Sequence, residues 1–120
     1  MPSDTKTTLL EIEVAASVYY NLNVNARVLE LGYTNGDDLQ FIHTVKYFVD
    51  PTDGSDGLKD VCKAVFNSMR REGANPHSIF REENLRSMKI GDVVSIRFED
   101  GQDCFTLRKN GWQRISLRLE

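Results

Sequence analysis

The 120-residue sequence predicts an α+β domain, an antiparallel sheet of about five to six strands, either open or curled into a barrel. One main helix is expected over about residues 57–71 and a short one over about 76–84. Three observations carry this expectation. Apolar residues alternate through residues 10–28, recur at three-and-four spacing from Leu58 to Met69, and give way to Asp100-Gly101 and Asn110-Gly111 reversals in the last third. Period two marks a half-buried strand, period 3.6 an amphipathic helix, and Asp-Gly or Asn-Gly a tight hairpin turn.

In the first run, Leu10, Ile12, Val14, Ala16, Val18, Tyr20, Leu22, Val24, Ala26 and Val28 share one face. Glu11, Glu13, Ser17, Asn21, Asn23, Asn25 and Arg27 face the other way, toward water. A typical strand has about 5–6 residues, so this run is expected to split into two strands near residues 20–25, where asparagines cluster. Asn35-Gly36 then supplies a turn. Residues 39–49 are β-branched and aromatic with both faces largely apolar, which predicts a strand central in the sheet. The segment 50–57, with Pro51, Gly54 and Gly57, stops that strand, and Ser55 or Asp56 is the expected cap of the main helix. Leu58, Val61, Cys62, Val65, Phe66 and Met69 form its buried stripe; Arg70 and Arg71 suit its last turn and Gly73 its end. Burial at about 1.5–3 kcal/mol per side chain would make this helix a main anchor of the core. Asn75-Pro76 reads as the cap and first residue of the short helix, with Ile79, Phe80 and Leu85 inward. A turn over 89–92 leads into three strands, 93–98, 104–107 and 112–119, forming a meander.

Hydrophobic residues at 40% and charged residues at 28% are the balance of a folded chain, read as a single domain over 8–120 behind a polar tail at 1–7. No apolar run approaches the roughly 20 residues of a membrane span, and no basic-then-apolar leader opens the sequence, so a cytoplasmic protein is expected. In that setting Cys62 and Cys104 are expected to stay reduced. The net charge of −3 divides into −6 for residues 1–60 and +3 for residues 61–120, and neither half has the strongly basic profile of a duplex-DNA binder.

The motifs of catalysis and metal binding are missing. His43 and His77 lack cysteines or carboxylates at ligand spacing. Asp50, Asp53 and Asp56 fall three apart, whereas a calcium loop alternates its ligands at every second position. No phosphate-cradling glycine loop occurs, and no local base and orienter flank a cysteine or serine. Accordingly no catalytic, metal or cofactor residue is assigned. Nucleic acid enters as a rival partner, because Arg81, Arg86, Lys89, Arg97, Arg108, Lys109, Arg114 and Arg118 are interleaved with Phe98, Phe105 and Trp112. Basic and aromatic residues together can track a single strand, although six acidic residues are interspersed here.

Residues 61–115 resemble the C-terminal core of the YodL-like domain, found in small proteins and in polyvalent proteins of phages and conjugative elements. The resemblance rests on Val65-Phe66-Asn67, on Asn75-Pro76 through Phe80, on Asn84-Leu85-Arg86-Ser87-Met88-Lys89-Ile90-Gly91-Asp92-Val93-Val94, and on Gly111-Trp112-Gln113-Arg114-Ile115. Residues 32–39 are similar to a segment preceding the core in some members. Lys89-Ile90 departs from a more usual serine-valine pair. The resemblance implies a non-enzymatic accessory protein of a mobile element or its host. Such a protein would act by protein–protein or small-ligand recognition. Arg86, Ser87, Asp92, Trp112 and Arg114 are the candidate partner-binding residues. Each also has a plain structural use: Arg86 can pair with Asp92 or Glu83, Gly91 and Asp92 can serve the turn, and Trp112 can plug one end of the sheet.

Overall fold

The computed structural model describes residues 11–23, 25–70, 85–99 and 101–117. The expected tail and short helix lie outside them. Five strands, β1 (Ile12–Asn21), β2 (Leu39–Val49), β3 (Val93–Phe98), β4 (Gly101–Arg108) and β5 (Gly111–Ile115), form one antiparallel sheet in the order β2-β1-β3-β4-β5. The sheet is open and does not close into a barrel. Among the described residues two helices accompany it, α1 (Ala26–Leu31) and α2 (Gly54–Ser68), the second entered through a 3-10 turn at Pro51–Asp53.

Alternation in β1 does what period two demands. Val14, Ala16, Val18 and Tyr20 are buried on one face. Across the neighbouring strands Val14 lies opposite Tyr47, Ala16 opposite Ile96, and Val18 opposite Val94, which in turn faces Phe105. Val61, Cys62 and Val65 of α2, with Met69 just past its end, close this layer, and every one of them is buried. Burial of such side chains stabilises by roughly 1.5–3 kcal/mol each, so this contact between helix and sheet is the core.

Three local expectations change. The alternating run yields a strand and a helix, not two strands. After Asn21 the chain turns, with the Asn23 N–H donating to Asn21 Oδ1 at 2.8 Å, and Asn25 caps α1 by accepting from the Val28 N–H at 3.0 Å. That capping bond offers the backbone an alternative to the ladder that alternation could not reveal. Second, β2 is an edge strand among the described residues, paired only with β1; its second apolar face is exposed phenylalanine. Third, α2 begins at Gly54 and ends at Ser68, three residues earlier than expected at each end. The Asp50 carboxylate accepts from the Thr52 N–H (2.9 Å) and Oγ1 (2.7 Å), ordering a turn that runs straight into the helix with no side-chain cap. Arg70 therefore falls beyond the last turn and stacks on Phe66, 5.6 Å from the ring centre.

Helix α1 packs on the face opposite α2. Tyr33 N–H donates to Thr106 Oγ1 at 2.9 Å, and Thr106 alternates with Phe105, which points to the core. Gly32, at φ +73°, makes the approach feasible: a Cβ there would meet Arg108 Cγ at 2.9 Å and the Leu107 carbonyl at 3.1 Å. Among the described elements, α1 covers one end of this second face.

Candidate functional site

Arg86, Ser87 and Asp92 come together at the end of the sheet where β1 stops and β3 starts. Asp92 is fully buried, and its carboxylate is saturated. Arg86 binds it in fork geometry, Nη1 to Oδ2 at 2.7 Å and Nη2 to Oδ1 at 2.8 Å, while the Asn21 and Lys89 backbone N–H groups each donate to it at 2.9 Å. The guanidinium lies 3.9 Å from the centre of the Tyr20 ring, and the Tyr20 hydroxyl donates to the Arg86 carbonyl. Burial pushes the Tyr20 hydroxyl up to about 12, so it remains a donor throughout the physiological range. The tight turn beneath uses Gly91 at φ +99°, where a Cβ would collide with Val28.

A second ion pair adjoins the first, with its carboxylate buried and its guanidinium exposed. Asn21 Nδ2 donates to Asp37 Oδ2 at 3.1 Å and to the Gly91 carbonyl at 3.2 Å, and Arg27 pairs with Asp37. Burial alone would raise the Asp37 carboxyl, but donation from the Thr34 backbone, Arg27 and Asn21 outweighs it and holds Asp37 below its ordinary value. Charges buried with full complements of partners are costly to disturb, and every buried side-chain nitrogen and oxygen among the described residues has a hydrogen bond. Asp92 is thus occupied within the fold.

Trp112 and Arg114 stand apart from this cluster. Trp112, opposite Leu107, packs against the main core from β5. Arg114 reaches Asp103 at 2.8 Å and borders a groove of about 310 Å³ beside Ile12, Leu58 and Phe98. The five candidate residues therefore fall in two places, Arg86, Ser87 and Asp92 at the turn and Trp112 and Arg114 two apart on β5. Other basic residues of the C-terminal strands are also engaged: Lys109 with Glu30 and Arg108 with Gln113. Phe105 is buried and Phe98 packs on the core, so neither offers a stacking surface.

The exposed aromatic material lies elsewhere, on the part of the second sheet face that α1 leaves open. Tyr19 and Phe41 meet edge to face, with ring centres 5.6 Å apart at 67°. They wall a depression of about 440 Å³ whose floor is Ala15, Ser17, Thr44 and Ser95 and whose far side is Arg97 and Gln102. The floor is small and polar: Ser17 and Thr44 hydroxyls share a hydrogen bond of 2.8 Å, and Gln102 Nε2 donates to Ser95 Oγ at 2.7 Å. Ala15 lies opposite both Lys46 and Arg97, so a cation stands on each side of it. Phe41 is 55% and Phe48 66% exposed, unusual for phenylalanine on an ordered strand.

Sequence reasoning assigns this face to water and singles out neither Tyr19 nor Phe41. A signal was there: Tyr19 is an aromatic on an otherwise polar alternating face, and β2 carries apolar residues on both faces. Across the known proteins, no family model, curated protein or solved structure matches this chain.

Proposed function

We propose that this chain is a non-enzymatic recognition protein that works through the open face of its sheet. The observation that carries this reading is the pair Tyr19 and Phe41 walling a polar-floored depression, with exposed Phe48 further along β2, on a scaffold whose buried polar groups are satisfied among the described residues. Exposed aromatics on a rigid strand lose little conformational entropy on binding and are the side chains that most often anchor an interface. The resemblance of residues 61–115 to the YodL-like domain supplies the setting, an accessory protein of a mobile element or its host. Two buried free thiols, Cys62 and Cys104, accord with a cytoplasmic location. The partner is another protein or a smaller ligand that fits this face, in preference to the Arg86–Asp92 turn, whose charges are spent internally.

The test is affinity capture from the native cell, with both proteins and nucleic acids in the captured material identified. Phe41→Ala combined with Phe48→Ala is expected to release the bound partner, while Lys63→Ala on the exposed side of α2 retains it. Retention of every captured partner by the double variant would remove the open face from the reading.

A further inference from the structure

The depression on the open face has a chemistry that selects among ligand classes. Its lining combines two aromatic rings, the hydroxyls of Ser17, Thr44 and Ser95, one amide and one guanidinium, and among the described residues includes no carboxylate. An apolar partner would leave that hydroxyl floor under-solvated, and a cationic one would meet Arg97 with Lys46 close by. A ligand with a flat aromatic unit, edge donors and acceptors, and a negative charge one residue-spacing away satisfies all of it. That description is a nucleotide. We infer that the open face binds single-stranded nucleic acid, with a base stacked at Tyr19 and Phe41, its edge over Ser17, Thr44 and Ser95, and the backbone phosphates at Arg97 and Lys46.

This inference rests on the open face proposed above as the recognition surface, and assigns it a nucleic-acid strand in place of a protein or smaller ligand. It also relocates the nucleic-acid expectation from the C-terminal strands, whose Phe98 and Phe105 pack inward, to a surface of exposed rings built from β1 and β2 with Arg97 of β3 and Gln102 of β4. A single strand is favoured over a duplex because stacking needs an exposed base, which a paired duplex withholds. The overall charge of −3 does not oppose it. Exposed charges are felt over about 8 Å at physiological salt, so phosphates here would answer to Arg97 and Lys46, which stand on either side of Ala15, more than to the overall charge.

Two phosphate contacts set a modest salt response: the logarithm of affinity should fall against the logarithm of salt with a slope of roughly −1.4. The experiment is fluorescence polarisation of labelled eight-nucleotide RNA and DNA strands against the intact protein at two salt concentrations, with each variant first checked by thermal melting. Binding is expected to weaken by about tenfold or more in Phe41→Ala, as loss of one stacked base implies, and to lose about half its salt slope in Lys46→Ala. Lys63→Ala is expected to bind as the wild type does. Equal displacement of the strand by a polyglutamate peptide would overturn the inference, since the site would then read charge and not bases. So would an absence of any polarisation change. If, in that case, the Phe41/Phe48 double variant still releases its captured partner, the recognition reading survives and only the ligand class is wrong. Strand binding indifferent to Phe41→Ala and Lys46→Ala would place the nucleic acid elsewhere and overturn the inference.

Discussion

Removing the Asp92 carboxylate strands the Arg86 guanidinium beside Tyr20 with no counter-charge, because each carboxylate oxygen is held by two donors. Asp92→Ala is expected to cost about 3–5 kcal/mol, read as a lower urea midpoint at unchanged slope. Asp37 gives a pH-dependent counterpart. Its folded-state carboxyl titrates below the ordinary value, so its stabilisation is fully present above about pH 4 and is lost as pH falls through the lower folded value. Asp37→Asn should therefore be less stable than wild type at pH 7, with the gap narrowing below about pH 4 in parallel denaturation series. The Arg86–Asp92 pair was legible in the sequence, because a guanidinium and a carboxylate six residues apart flank one glycine turn. Its coupling to Asn21 and Asp37 was not, since those residues come from separate segments that only the assembled sheet brings together.

Among the elements, α2 was the most legible, for its apolar stripe has no competing interpretation: three-and-four spacing cannot line one face of a strand. Met69, the last residue of that stripe, is fully buried and its carbonyl accepts from the Met88 N–H at 2.9 Å. Met69→Ala is expected to cost about 2–5 kcal/mol by guanidinium denaturation, the upper part of that range applying if the cavity does not collapse. Helix α1 was not legible. Val24, Ala26 and Val28 continue the period of β1, and a six-residue helix contributes too few positions to announce a different one. Asn25 carried the only local cue, and its cap competes with the ladder on nearly equal terms. The location of β2 was misjudged for a related reason. Apolar residues on both faces mark a strand covered twice or a strand with a surface to offer, and composition does not separate the two.

For the molecule as a whole, the turn signals at Asp100-Gly101 and Asn110-Gly111 gave the β3-β4-β5 meander correctly, whereas the long-range pairing of β1 with both β2 and β3 had no local signature. Cys62 and Cys104 report on the integrity of that assembly. Both are buried, and burial raises both thiols above their ordinary value, so neither is expected to react with a disulfide reagent at pH 8 until the whole domain opens. Reaction of both at the global unfolding rate is the expected result; a fast-reacting cysteine would show a locally open sheet. The central place of β1 bears also on how the protein is made. Its edge toward β3 is filled by residues such as Val93, which pairs with Tyr19 from roughly seventy positions downstream. At about 5–20 residues per second on the ribosome, the nascent β1–β2 hairpin waits some seconds with that edge unclaimed. During that interval the chain is at its stickiest, and a holding chaperone or slow elongation would have its greatest effect on yield.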